Sequence, residues 1–206
     1  MTVPTVFVVD GEHDARQSTY ELLRANGHAV TLFSTPGAFD QAYSPGEAGC
    51  LVLDISLPNL SGLALLQSLS RRSIGLPVIA VSGEATTRMA VDAIKQGAME
   101  FIEKPICPVT LLAQVRYALD RDAENREREA RIALTRQRLA TLTMREREVF
   151  DLLVAAWSPK QIAARLGISP KTSDVHRARV LAKMHVESVV KLARVAHRVG
   201  LLQEAE

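Results

Sequence analysis

Four polar residues, each closing a short apolar run, carry the chemistry open to this chain. Cys50-Leu-Val-Leu runs into Asp54, Thr5-Val-Phe-Val-Val9 into Asp10, Pro77-Val-Ile-Ala-Val81 into Ser82, and Glu100-Phe-Ile-Glu103 into Lys104 and Pro105. Such runs read as buried parallel strands, and open α/β sheets bind ligands where those strands end. Two carboxylates, a hydroxyl and an ammonium at one rim suit the holding of a phosphoryl group. Asp54 would attack a phosphorylated donor without an activating base, because a carboxylate is already ionised at neutral pH. Mg²⁺ held by carboxylates would neutralise charge, while the lysine and serine bind phosphoryl oxygens. The plainer reading is that each polar residue only marks a strand end.

The elements that must position these residues alternate strand and helix. An amphipathic stretch through Leu22 and Leu23 stops at Asn26-Gly27, and Ala29 to Phe33 is a further strand. Phe39 with Tyr43 suggests a helix closing at Pro45-Gly46. Gly62 to Leu69 and Thr86 to Gln96 follow as helices, the second ended by Gly97. Leu111, Leu112, Val115 and Leu119 form the inward stripe of the next. Five β-then-α units give a doubly wound parallel sheet with helices on both faces.

From Asp120 to Arg138 the composition turns to Arg, Glu and Ala without Gly or Pro, so the helix is expected to continue as a charged, solvated linker. Its few apolar residues make a poor coiled-coil seam. Beyond it, Thr143-Met-Arg-Glu146 and Ser158-Pro-Lys-Gln161 are capping boxes, and Ser169 precedes a proline at a first helical position. Helices therefore start near Met144, Pro159 and Pro170, and Ser188 caps a last one ended by Gly200. A short helix, a tight turn at Gly167 and a basic helix after it form a helix-turn-helix pattern.

The 206 residues suffice for two domains, and 47% hydrophobic with 23% charged residues describes globular protein. Formal net charge is −3 over residues 1–118, +1 over 119–142 and +4 over 143–206, an acidic front and a basic back. Cys50 and Cys107 lack metal-type spacing, which fits a reduced, cytoplasmic setting. The start of the chain shows no basic region before a long apolar stretch, so neither export nor a membrane partner is expected. After residue 119 there are only Phe150 and Trp157 among the Phe and Trp residues, which argues against an aromatic platform for unstacked RNA bases and favours duplex DNA.

Several stretches resemble a known family: Val-Phe-Val-Val-Asp10, Cys50-Leu-Val-Leu-Asp54-Ile-Ser-Leu-Pro-Asn-Leu-Ser-Gly62, Met89 through Lys104-Pro105, Arg145-Glu-Arg-Glu-Val149, and Gln161-Ile-Ala-Ala-Arg-Leu-Gly-Ile-Ser-Pro-Lys-Thr172. Residues 1–119 resemble the receiver domain of two-component response regulators, and 143–206 a LuxR-type helix-turn-helix, together the FixJ branch of the NarL/FixJ group. The resemblance implies a five-stranded flavodoxin-like sheet of order 2-1-3-4-5, a helical linker over 120–142, and a four-helix DNA-binding domain. It implies Asp54 as phosphoacceptor, Ser82 and Lys104 as the phosphoryl-sensing pair, and Phe101 as an aromatic switch. Asp10, Asp54 and the backbone carbonyl of Ser56 would hold Mg²⁺, and Lys104-Pro105 would be a cis peptide. It also implies a sensor histidine kinase as donor and a phosphorylation-dependent homodimer through the face formed by residues 86–107. In place of the family's second acid after the first strand stands Gly11, which should weaken Mg²⁺ binding, with Glu12 as the candidate substitute. Two readings stay open, a Mg²⁺-assisted phosphoacceptor and a degenerate receiver answering another signal; a third is an aspartate-based phosphohydrolase, for which no further acid or base is evident.

On the basic helix, Ser173, Arg177, Val180 and Met184 share one face, so most of that face packs inward. Ser173 stands where the family usually has Val. Lys171, Asp174, Val175 and Ala178 would address base edges, Lys160, Arg177, Arg179 and Lys183 at the margins suit phosphates, and Thr172 is a further DNA-binding candidate.

Overall fold

A computed structural model describes residues 3–57, 61–83 and 86–200; Pro58, expected in the turn after Asp54, and residues 201–206 lie outside them. The chain forms two compact units that divide after Arg126.

The first unit alternates β1 (Thr5–Val9), α1 (His13–Ala25), β2 (Ala29–Phe33), α2 (Pro36–Ala42), β3 (Gly49–Asp54), α3 (Ser61–Arg71), β4 (Val78–Ser82), α4 (Thr87–Lys95) and β5 (Glu100–Glu103). All five strands are parallel, in the order β2-β1-β3-β4-β5. That order is the one implied by the family resemblance. Every residue of β3 is buried, because helices cover both sides of a central parallel strand.

Side chains alternate along each strand, and the alternation splits the core in two. Phe7, Leu51 and Leu53 face Phe39 of α2, Leu66 of α3 and Ala93 of α4. Val8, Cys50, Val52 and Val81 face Leu23 of α1 and Leu111 and Val115 of the long helix α5 (Pro108–Ala140). Helix α2 ends at Ala42, three residues before the expected Pro45-Gly46, because Tyr43 leaves the helix extended and stacks its ring on Phe39 with centroids 5.1 Å apart.

Helix α5 runs unbroken over Pro108–Ala140. The expectation of a wholly solvated stretch after residue 119 fails at Asp122, which is buried and accepts a hydrogen bond from the Gly49 N–H at 3.0 Å. Arg126 Nε donates to the same carboxylate at 2.9 Å and its guanidinium also bonds the Gly46 carbonyl. One turn of charged helix is thereby fixed to the start of β3.

The second unit contains α6 (Met144–Val154), α7 (Pro159–Leu166), α8 (Pro170–Lys183) and α9 (Val189–Arg198). Both capping boxes close as the sequence indicates, and Ser169 and Ser188 cap α8 and α9. Gly167 turns between α7 and α8 at φ 65°, where a side chain would be strained. Val149, Phe150, Ile162, Val180, Met184 and Leu192 make the core, joined by Leu139 from the last turn of α5.

Candidate functional site

The strand order makes neighbours of the four polar strand ends. Asp54 ends β3 opposite Val81, Ser82 ends β4 opposite Glu103, and Asp10 and Lys104 directly follow β1 and β5. Lys104 N–H donates to the Ser82 carbonyl at 2.8 Å, and the Lys104-Pro105 peptide is cis. Lys104 Nζ then lies 2.8 Å from Asp10 Oδ2 and 2.8 Å from Asp54 Oδ2. Both carboxylates are buried, 3% and 6% exposed, so the shared ammonium is what makes two adjacent negative charges tolerable. Burial draws the Lys104 pKa down, but hydrogen bonds to Asp10 and Asp54 outweigh it and hold the ammonium above its ordinary value. The remaining carboxylate oxygens take backbone donors: Glu12 N–H to Asp10 Oδ1 at 2.9 Å and Ser56 N–H to Asp54 Oδ1 at 2.7 Å.

Gly62 lets the first turn of α3 approach this corner; a Cβ there would sit 2.4 Å from the Asp54 carbonyl oxygen. Ser82 is fully buried, and its hydroxyl shares a 2.7 Å hydrogen bond with the Ser56 hydroxyl. Phe101 on β5 is half-buried against the core on the α4 side of the sheet.

In the helical unit, α8 turns Ser173, Val180 and Met184 inward, as its spacing indicates. Lys171, Thr172, Asp174, Val175, Ala178 and Arg179 are exposed along its outer side, and Lys160 is exposed at the start of α7. Arg177, expected at the margin, is exposed and pairs with Asp174 at 3.6 Å. Thr172 bonds the capping Ser169 hydroxyl at 2.8 Å. The buried Ser173 hydroxyl and His176 Nδ1 have no hydrogen-bond partner among the described residues.

The pattern of the response regulator receiver domain matches residues 6–116, and that of bacterial regulatory proteins of the luxR family matches residues 140–196. The chain is 39% identical over 196 residues to the transcriptional regulatory protein FixJ of Azorhizobium caulinodans, covering 95% of this chain and 93% of that protein. The chain belongs to the NarL/FixJ group of response regulators. FixJ of Rhizobium meliloti is likewise 39% identical over 197 residues, covering 95% of this chain and 96% of that one. Among solved structures, the response regulator StyR matches with a TM-score of 0.85 and 34% identity over 96% of this chain and all of that one. Full-length FixJ from B. japonicum matches with a TM-score of 0.58 and 35% identity over 98% of this chain and all of that one. The chain is thus a receiver followed by a LuxR-type DNA-binding domain, homologous to transcriptional response regulators, and the degenerate-receiver reading is not favoured.

Two residues of this response regulator, Glu12 and Lys183, depart from the expectations, and Gly11 has a packing neighbour that accounts for it. At Gly11 a Cβ would lie 2.7 Å from Leu57 Cδ2, so the buried Leu57 side chain occupies the place from which a second acid would project. Glu12, the candidate substitute, has its side chain exposed, and only its backbone reaches Asp10. Lys183, expected at phosphates, instead places Nζ 2.6 Å from the buried Glu146 carboxylate and 3.0 Å from the Thr141 carbonyl. Among the described residues no three His, Cys, Asp or Glu side chains gather as a metal-holding group. Two carboxylates at one rim still fit Mg²⁺, which keeps several waters and takes one or two carboxylates. Sequence reasoning missed Arg16, which donates to the Asp10 carbonyl at 2.6 Å and so ties α1 to the loop after β1. Only its place one turn into the following helix hints at that reach.

Proposed function

We propose that this protein is a cytoplasmic transcription factor switched by phosphorylation of Asp54. The observation that carries the reading is the Lys104 ammonium held 2.8 Å from both Asp10 and Asp54 at the ends of adjacent strands, with Ser82 on the next. Asp54 Oδ attacks the phosphorus of a phosphohistidine on a sensor kinase; a P–O bond forms, the P–N bond breaks, and the histidine leaves with its electron pair. Asp10, Asp54 and the Ser56 carbonyl would hold Mg²⁺, which supplies charge neutralisation when bound. The new group carries nearly two negative charges, which Lys104 pairs and the Ser82 hydroxyl binds. Their shift lets Phe101 turn inward and reshapes the face of α4 and β5. Val91 and Ile94, exposed on α4, support an apolar homodimer contact within the 86–107 face.

The output is duplex DNA binding by α8. Lys171, Thr172, Asp174, Val175 and Ala178 would read base edges in the major groove, while Lys160, Arg177 and Arg179 contact phosphates. No turnover of a substrate is part of this function, and the relatives are themselves named as regulators.

The test is to incubate the protein with Mg²⁺ and acetyl phosphate and weigh it intact. A single added phosphoryl mass, absent in Asp54→Asn, is expected, together with tighter binding to duplex DNA. No added mass at Mg²⁺ concentrations that serve an ordinary receiver would overturn the reading.

A further inference from the structure

We infer that the Ser56 hydroxyl is a positioning group that holds the switch serine in its resting place and so restrains activation. The inference rests on the phosphorylation reading of Asp54 for its biological meaning, but its geometry stands alone. Ser56 joins three parts of the site. Its N–H donates to Asp54 Oδ1 at 2.7 Å, its Oγ accepts from the Gly83 N–H at 3.2 Å, and the same Oγ shares a 2.7 Å hydrogen bond with Ser82 Oγ. Two successive loops at the C-terminal rim of the sheet, after β3 and after β4, are thereby tied through one exposed side chain.

A hydroxyl has one proton and a limited set of directions in which to use it. A phosphoryl oxygen on Asp54 requires the Ser82 hydroxyl as a donor, whereas the resting hydrogen bond draws that hydroxyl toward Ser56. Gly83, the residue next to Ser82, is held by the same oxygen, so moving Ser82 strains two contacts at once. The tie therefore favours the resting arrangement by about one net hydrogen bond, equivalent to an approximately five-fold bias in a two-state equilibrium. Ser56→Ala removes the tie and leaves the backbone N–H to Asp54 and the backbone carbonyl in place. Ser56→Thr keeps the hydroxyl.

The experiment uses full-length protein and a labelled duplex selected by that protein from a random-sequence pool, at fixed salt. Without phosphodonor, Ser56→Ala is expected to bind about five-fold tighter than wild type, with Ser56→Thr returning toward wild type. After acetyl phosphate and Mg²⁺ the three should bind alike, so the phosphorylation-dependent gain shrinks in the Ala variant alone. Hydrogen exchange at the Gly83 amide should be faster in Ser56→Ala and restored in Ser56→Thr. Unchanged resting affinity in Ser56→Ala, or a loss confined to its phosphorylated form, would sink the inference. The resting comparison needs no phosphorylation, so it decides the role of Ser56 even where absence of added mass removes the Asp54 reading.

Discussion

Replacing Lys183 separates a lysine that grips DNA from one that holds the domain together. Its Nζ sits 2.6 Å from Glu146 Oε2, the Glu146 side chain is 5% exposed and that of Lys183 35%. Glu146 also accepts the Thr143 N–H at 2.9 Å, closing the capping box of α6. Lys183→Gln would leave a buried carboxylate with its backbone donor alone. Breaking a fully buried pair costs about 3–5 kcal/mol, and water at the one-third-exposed lysine screens this to about 1–2 kcal/mol.

The pH dependence gives an independent signature. Hydrogen bonding to Lys183, followed by the Thr143 N–H, brings the Glu146 pKa down to about 2. A carboxyl depressed on folding binds its proton more readily in the unfolded chain, so its stabilisation is present above the unfolded pKa, near ~4.3, and fades as pH falls through the folded value. Stability of the helical unit should therefore drop between about pH 4.5 and pH 2 in wild type and less steeply in Glu146→Gln. Trp157 is the chain's single tryptophan and lies in that unit, so its fluorescence during urea unfolding reports the transition. In DNA titrations across salt, Arg179→Gln should flatten the log–log slope by about one, whereas Lys183→Gln leaves it unchanged. A Lys183 variant of wild-type stability with a flattened slope would refute this assignment.

Gly11→Asp should lower the Mg²⁺ concentration needed for half-maximal labelling of Asp54 by acetyl phosphate, at a cost of about 1 kcal/mol in urea unfolding as Leu57 changes rotamer to clear the new Cβ. Ser173→Val should raise the unfolding midpoint of the helical unit, gaining about 1 kcal/mol by removing a buried hydroxyl that has no partner among the described residues; a fall would mean the site has no room for two methyl groups. Iodoacetamide at neutral pH should label Cys107 and spare Cys50 until unfolding, read by mass: hydrogen bonds from Thr110 and Val109 lower the exposed Cys107 thiol, whereas burial, then the Asp122 charge, pushes Cys50 up to about 12. Asp122→Ala should destabilise the receiver by about 1–3 kcal/mol in thermal unfolding, since Gly49 N–H and Arg126 both lose their partner.

The sheet and the gathering of Asp10, Asp54, Ser82 and Lys104 were legible because both follow from one-dimensional patterns. An apolar run of four or five residues has only a few lengths at which to end, and parallel strands joined by right-handed crossovers all end on the same side. Any polar residue at such an end is delivered to the rim whatever the loops do. The caps of α6, α7 and α8 were equally legible, since a side chain bonding three residues ahead is a local event. Asp122 was misread for the opposite reason. In a stretch of alternating charges it looks like its neighbours, and its burial depends on the separate fact that α5 passes the start of β3, where Gly49 offers an unpaired N–H.

The two lysines Lys104 and Lys183 show where that boundary runs. Each stands at the end of an element, each has its Nζ on a carboxylate, and in sequence each looked like a cation waiting for phosphate. Lys104 follows β5, and β4 separates it from the strand carrying Asp54, so the topology alone brings the two within reach of a four-carbon stem. Lys183 meets Glu146 across the packing of α8 on α6, where a difference of one residue in either helix would rotate the partner by about 100°. Helix faces are readable from spacing, but the contact between two faces is set by how side chains of both interlock. A lysine beside a helix core therefore has an internal partner as often as the packing supplies a buried acid, and here the glutamate that closes the α6 capping box, Glu146, is that acid.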